Sequence, residues 1–245
     1  MAAPELSILV PCFDEETTLP TAMGQLNDVV GLSSLGVEVI VLDDESRDNT
    51  LGVAASLIDE YPSLHIRAFH RVRRRIGFGT LMRYGMAHAT GRYCVFVSAD
   101  GLDPVHLLPD FVKQLRAGAQ LVQLSRYIRP EDAQTVTRKY RIYQTVYRRM
   151  IRLLLKQNIT DSTYAFRAFD RVYVQALGVV SNRFNLCPEI TLKVLLSGGK
   201  IAYVPGHPTP YQGGGSDKFQ LPHESWGYLY VLMRAWLHRL GFYWF

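Results

Sequence analysis

Residues 94–104 read CVFVSADGLDP. An apolar run, Cys94 to Val97, stops at two small residues and is followed by Asp100, Gly101 and a second acid, Asp103. A strand ending on a carboxylate at the lip of a sheet is a usual place to hold a metal ion and a phosphate. Such sites mostly carry an Asp-x-Asp pair, and here Ser98 stands at the partner position. The stretch reads as a metal site missing a ligand, as a changed site, or as a turn.

Outward from it, apolar runs alternate with helical segments. RYCVFVSAD (92–100) reads as a fourth strand, preceded by IGFGTLMRYGMAHATG (76–91), a glycine-rich turn opening a helix. LSILVPCF (6–13), VEVIVLDD (37–44) and LHIRAFH (64–70) supply the first three strands, with helices expected after Glu15–Thr18 and over 49–58. This alternation predicts an α/β domain with a parallel, doubly wound sheet, in which ligands bind beyond the carboxyl ends of the strands. Three of those ends are acidic: Asp14 and Glu15, Asp43 and Asp44, and Asp100. Asp44, Ser46 and Asp48 could equally cap the helix at 49–58. Crowded carboxylates repel unless a cation, a sugar hydroxyl or a base N–H answers them. Magnesium commonly needs one or two carboxylates plus substrate phosphate and water, so Asp100 alone could serve.

Bulk properties narrow the class. The 245 residues, 48% hydrophobic and 20% charged, fit a globular domain with a sizeable core and exclude disordered or fibrous classes. A net charge of +5 suits acidic substrates or anionic surfaces without choosing among them. Cys12, Cys94 and Cys187 lack metal spacing and form no even disulfide framework, so a reducing compartment is expected. MAAPELSILVPCF reads as a first strand and not as a signal peptide. No uncharged apolar stretch reaches the 18 residues of a membrane span.

Two segments suit a membrane surface. TRKYRIYQTVYRRMIRLLLKQ (137–157) places apolar residues at 140, 143, 147, 150, 151 and 154, with seven basic residues and no acid. Such a helix fits an anionic surface, the phosphate of a lipid, or a solvated face packed on a core. Nucleic acid would demand a reading module, and none is found. The end of the chain, 224–245, is rich in Trp and Tyr, which favour the headgroup region; it lies in an interface or packs on another subunit. RVRRRIGFG (71–79) has the look of a nucleic-acid patch or a phosphate-binding glycine loop. Gly77 and Gly79 precede a helix whose N-terminus attracts anions, but the third spaced glycine of a dinucleotide site is missing, and Arg71 to Arg75 could equally form a surface patch.

PCFDEE (11–16), VLDDESRDNT (41–50), IGFGTLMRYGMAHATG (76–91) and SADGLDP (98–104) resemble, in order, blocks of the family 2 glycosyltransferases with the GT-A fold. LSRY (124–127), ITDSTYAFRAFDR (159–171), PEITLKVLLSGGKIAYVP (188–205) and GGSDK (214–218) are similar to the second half of polyprenyl-phosphate mannosyl- and glucosyltransferases. The resemblance spans roughly residues 5–220. It implies a GT-A domain over 1–220, with a mostly parallel Rossmann-like sheet flanked by helices, and an aromatic-rich amphipathic segment over 221–245.

Residue by residue, it implies that Pro11, Phe13 and Glu15 line the nucleotide pocket and that Asp43, with Asp44 beside it, contacts the nucleoside. Ser98, Ala99 and Asp100 occupy the metal motif, Asp100 holding Mg2+ or Mn2+. Arg126 contacts the donor diphosphate. Asp161, Arg167 and Glu189 match positions on the acceptor side, and Lys218 lies on a loop covering the donor. The sequence departs from the family at Ser98 and at Gln212, where an arginine is frequent. The implied activity is inverting transfer of a sugar from a GDP- or UDP-sugar to a polyprenyl phosphate, at the cytoplasmic face of a membrane and by a peripheral protein. A hydroxyl acceptor would require Asp161 or Glu189 as base, though either could instead pair structurally with Arg167 or Lys193; a nucleotide-sugar-binding protein of low activity is the remaining alternative. Oligomeric state, sugar and base are left open.

Overall fold

The computed structural model describes residues 3–33, 35–71, 77–209 and 221–242. Its first half runs β1 (Leu6–Cys12), α1 (Leu19–Ser33), β2 (Val37–Asp43), α2 (Thr50–Glu60), β3 (Ile66–His70), α3 (Phe78–His88), β4 (Tyr93–Phe96) and α4 (Leu108–Arg116). The second half runs β5 (Leu121–Ser125), α5 (Pro130–Gln134), α6 (Arg138–Leu155), β6 (Arg167–Asp170), α7 (Arg171–Ala176), α8 (Leu186–Leu196), β7 (Ile201–Pro205) and α9 (Leu221–Arg239).

The strands form one sheet in the order β3-β2-β1-β4-β6-β5-β7. Pairing is parallel except around β6, which runs antiparallel to both β4 and β5. The expected parallel sheet is therefore a mixed one. β6 gives no sequence signal of its own, being four residues long with a buried arginine in place of an apolar run.

Both faces of the sheet are covered, which is why its strands read as continuous apolar runs. Alternation along β1 sends Ile8 and Val10 to a core shared with α1, α2 and α4, through Leu26, Leu57 and Phe111. Leu9 faces the opposite core, where Met82 of α3, Val174 of α7 and Ile190 of α8 pack. A third cluster joins Tyr147, Ile151 and Leu155 of α6 to Leu192 of α8 and to Tyr228, Val231 and Leu232 of α9. The C-terminal segment thus lays one face of α9 on its own chain.

β4 is shorter than the 92–100 expected. The Val97 N–H still reaches the Leu9 carbonyl at 3.0 Å, but the next N–H, of Ser98, turns to the Asp103 carboxylate at 2.7 Å. The side chain takes the donor that a neighbouring strand would have used, and the ladder stops.

Candidate active site

The strand order reverses at β1: β2 and β3 lie to one side, β4 to the other. In open α/β sheets that switch point opens a crevice at the carboxyl ends of the strands. Pro11 marks it. Leu9 bonds toward β4, so Pro11, two residues on, turns its missing N–H to the same side, beyond the last β1–β4 pair, Leu9–Phe96. Pairing to β2 continues through Cys12. The gap beside Pro11 is where the chains after β1 and β4 separate.

After β1 and β2 the backbone enters left-handed conformations at two non-glycine residues, Asp14 (φ 53°) and Glu45 (φ 63°). Such residues persist where surrounding contacts over-determine them. The contacts are visible. The Asp14 N–H donates to Ser46 Oγ at 3.0 Å, and the Glu15 N–H to Thr50 Oγ1 at 2.8 Å. Arg47 returns its own N–H to Asp14 Oδ1 at 2.7 Å and its guanidinium to Oδ2. The same guanidinium lies 5.3 Å from the centre of the Phe13 ring. Glu15 also accepts the Thr18 hydroxyl. The two acidic tips are zipped together by donors from each other.

Asp43 is 1% exposed. It accepts the Ser46 hydroxyl and sits 2.6 Å from Nδ1 of His70, at the end of β3. His70 is a partner that sequence reading passed over. Its signal was the register, which pairs Asp43 with His70 across neighbouring parallel strands. The N-cap of α2 is Asn49, whose side chain makes no capping bond; Asp48, one residue earlier, accepts the Thr50 N–H on Oδ1 at 3.0 Å. Asp44 is buried beside Asp43.

The third tip is organised differently. Asp100 accepts the Leu102 N–H on Oδ1 at 3.0 Å, leaving Oδ2 without a partner among the described residues. Gly101 takes φ 71°, which a side chain would resist. Ala99 is buried in the core, so only its backbone is available to a ligand. Asp103 is buried; one oxygen accepts the Ser98 N–H, the other the Tyr164 hydroxyl at 2.6 Å. Burial pushes its carboxyl up to about 6, against the lowering effect of those two hydrogen bonds.

Tyr164 leads to Arg126. The Arg126 guanidinium lies 4.7 Å from the centre of the Tyr164 ring. It also donates from Nε to Asp161 Oδ2 at 2.7 Å and from Nη2 to Oδ1 at 3.2 Å. Burial works against its charge, but the charge of Asp161 and the hydrogen bonds to it outweigh that and hold Arg126 as a cation. Arg167 is elsewhere than expected: it is fully buried and donates to the carbonyls of Cys187, Ser162 and Tyr164. Two of these bonds hold the 162–164 segment, and none of the side chain is exposed.

Glu189 is also spent on structure. It is fully buried, accepts the N–H groups of Val180 (3.0 Å) and Ser181 (2.7 Å), and pairs with Lys193 at 3.2 Å. Gly77, at the N-cap of α3, and Gly79, in its first turn, both stand in close contact with neighbouring backbone. A Cβ on Gly79 would stand 2.4 Å from the Ser181 carbonyl. The Thr80 N–H of that N-terminus already donates to the Asn182 carbonyl at 3.2 Å.

On α6, Gln144, Tyr147, Ile151 and Leu155 are buried. Gln144 reaches Thr163, and Arg148 donates to the Thr160 carbonyl at 3.2 Å while lying 4.5 Å from the Tyr127 ring centre. The opposite side presents exposed Ile142, Val146 and Leu153. Ile142 and Val146 floor an open groove of about 470 Å³ edged by Arg138, Arg141 and Arg149. The helix is thus core-packed on one side and basic-apolar on the other. α9 likewise exposes Trp226, Tyr230 and Met233. Gln212, Lys218, Arg73 to Arg75 and the last three aromatic residues lie outside the described residues.

The residues at 7–178 match the family model Glycosyl transferase family 2, and the chain belongs to that family. Among curated proteins it is similar to a prophage bactoprenol glucosyl transferase homolog of Escherichia coli (strain K12), 25% identical over 202 residues, covering 82% of this chain and 62% of that protein. It is also similar to the bactoprenol glucosyl transferase of Shigella phage SfV, 23% identical over 179 residues, covering 73% and 56%. The chain thus spans a little over half the length of these relatives. Among solved structures it resembles glucosyl-3-phosphoglycerate synthase from Mycobacterium tuberculosis in complex with Mn2+, UDP and phosphoglyceric acid. That match has a TM-score of 0.66 and 21% identity, and covers 98% of this chain and 80% of that one. A mycobacterial protein of known structure gives a TM-score of 0.70 at 22% identity, covering 96% and 75%. These likenesses establish the GT-A fold.

Proposed function

We propose that the chain transfers a sugar, with inversion, from a nucleoside diphosphate sugar to a polyprenyl phosphate at a membrane surface. The observation that carries this reading is the position of Arg126. It joins the carboxylate turn, through Tyr164, to the basic helix α6, through Tyr127 and Arg148. A cation there lies between the place for a leaving diphosphate and a place for an incoming phosphate.

An oxygen of the lipid phosphate attacks the anomeric carbon from the face opposite the diphosphate; the new C–O bond forms as the bond to the diphosphate breaks. Negative charge grows on the leaving group, and Arg126 is placed to stabilise it. A hydroxyl acceptor would need a general base within reach. Both candidate bases are committed: Asp161 to Arg126, Glu189 to two amides and Lys193. A phosphate monoester, with a second pKa near 6, is largely dianionic at neutral pH and needs no base. The acceptor reading and the committed carboxylates therefore agree.

The residues suit a hard divalent cation of the magnesium or manganese kind. No group of three metal-capable side chains occurs among the described residues, but Asp100 keeps one carboxylate oxygen that accepts no hydrogen bond from them. One carboxylate, completed by diphosphate oxygens and water, is enough for Mg2+. Asp100 would hold such an ion, which when bound neutralises charge on the departing diphosphate. Ser98 supplies no charge, and we assign it to hydrogen bonding. Pro11, Phe13, Glu15, Asp43 and Asp44 line the crevice side that would receive the nucleoside, and Lys218 is proposed to cover the donor.

No helix among the described residues is long and apolar enough to cross a membrane. The exposed side of α6 fits peripheral attachment to an anionic surface, where each basic residue contributes roughly 1 kcal/mol. The bactoprenol in the names of the relatives favours a lipid acceptor of the same class, and we place the attachment at the cytoplasmic face. The test is incubation with labelled UDP- and GDP-sugars, a short-chain polyprenyl phosphate and Mg2+ or Mn2+. Label in a phosphate-linked lipid supports the reading. Label only in an added saccharide would transfer the proposal to a hydroxyl acceptor, and donor binding without turnover would overturn it.

A further inference from the structure

We infer that Tyr164 is a positioning residue that fixes the carboxylate turn and Arg126 at one mutual distance, so that both meet the same diphosphate. The inference rests on the donor site proposed above. Tyr164 is held at three points. Its carbonyl accepts from the buried Arg167. Its hydroxyl donates to Asp103 at 2.6 Å, and its ring lies under Arg126 at 4.7 Å. The other oxygen of Asp103 holds the Ser98 N–H, the peptide at which the acidic turn begins.

One unbroken line therefore runs from the backbone of Ser98 through Asp103 and Tyr164 to the guanidinium. Each joint is of a strong kind. A hydroxyl donated to a buried carboxylate is a short, charge-assisted bond. A guanidinium stacked on a ring while largely screened from water is worth more than the same contact in solvent. Asp161, on the far side of Arg126, fixes its rotation in the plane through two hydrogen bonds but touches nothing in the turn at 98–103. Tyr164 is the residue that supplies the distance. Placement matters because misplacing a reacting or stabilising group by about 1 Å can cost a hundredfold. The need is sharper where Ser98 replaces a carboxylate, since fewer charged groups remain to fix a diphosphate.

The experiment is calorimetric titration of UDP and GDP, with Mn2+ present, into the full chain and two variants. Tyr164→Phe keeps the ring under Arg126 and removes only the hydroxyl. Affinity for the nucleotide that the wild type prefers should fall about tenfold, while the melting temperature moves by only a few degrees. Asp103→Asn can still accept from Ser98 and donate to Tyr164, so its affinity should stay within about threefold of wild type. A merely structural role would lower the melting temperature and leave affinity alone.

Wild-type affinity in Tyr164→Phe overturns the inference, as does an Asp103→Asn loss equal to that of Tyr164→Phe. Failure of the wild type to bind either nucleotide overturns the donor site and this inference with it, and is thereby distinguished. Should Tyr164→Phe not fold, hydrogen exchange on the wild type decides. Peptides covering 97–103 and 160–166 should gain protection together, at one nucleotide concentration. Protection of one without the other would sink the coupling.

Discussion

The two ends of the sheet use the same residue types to opposite effect. At the amino end, Glu38 is buried and surrounded by donors: the Ser7 hydroxyl at 2.6 Å, the N–H and hydroxyl of Thr90, the Gly91 N–H, and Arg67 at 3.0 Å. Burial works to raise its pKa, yet those hydrogen bonds outweigh it and hold the carboxyl below the ordinary value. At the carboxyl end, Asp103 is just as buried but has two donors, and burial wins. Asp100, three residues earlier, keeps one oxygen that accepts no hydrogen bond from the described residues. A carboxylate answered on every side locks a fold; one answered in part retains chemistry to offer.

The largest effect is expected from Asp100→Ala. If the free oxygen is the functional one, turnover should fall at least about a thousandfold, equivalent to roughly 4 kcal/mol of transition-state stabilisation. The melting temperature should hardly move. A full-rate variant in the lipid-phosphate assay would remove the carboxyl end from the argument.

Glu38→Ala tests the other pole. It leaves several buried donors unsatisfied, each worth about 1–3 kcal/mol, so a stability loss of about 3 kcal/mol is expected with nucleotide affinity unchanged. Because the folded pKa of Glu38 is depressed, its contribution is present above pH 4.5 and is lost as pH falls through the folded value. Denaturant unfolding of wild type and variant should therefore converge in acid.

Arg126→Lys keeps a charge but loses the planar fork that holds Asp161 and stacks on Tyr164. A drop in kcat of about a hundredfold is expected, with Glu38-type stability loss absent. Equal rates would place the diphosphate elsewhere.

The smallest effect is on pH dependence at Asp103. Its carboxyl is raised from 3.8 to about 6, so between those values the folded protein holds a proton that the unfolded chain has released. Stability conferred at this position falls as pH climbs through that window and levels off above it. Relative to wild type, Asp103→Asn should gain about 2 kcal/mol between pH 4 and pH 6. A flat difference would mean that Asp103 is as fully answered as Glu38.

Much of the frame was legible beforehand, for a local reason. Strands buried on both faces are continuous apolar runs, and acid follows three of them directly in the chain. The amphipathic period of α6 was equally local. What escaped was long-range. β6 hid because its short run contains Arg167, whose charge is satisfied by carbonyls of Cys187, Ser162 and Tyr164. Tyr164 and Asp103 are separated by 61 residues, and His70 and Asp43 by 27. No spacing rule links such pairs. The glycines at 77 and 79 suit both an anion cradle and a close backbone approach, and only the folded chain shows the Asn182 and Ser181 carbonyls that make the approach close.

Acidic side chains at neighbouring strand ends, and an amphipathic helix with basic residues and no acid, are written in the chain itself; that the two lie close together is not. Periodicity and strand termination are properties of neighbouring residues, so they can be read along the chain. Folding alone settles which carboxylates are taken up by amides, hydroxyls and guanidinium groups, and which keeps an oxygen unbonded among the described residues. That choice depends on donors brought from distant parts of the chain, and a carboxylate's chemistry is set by what surrounds it.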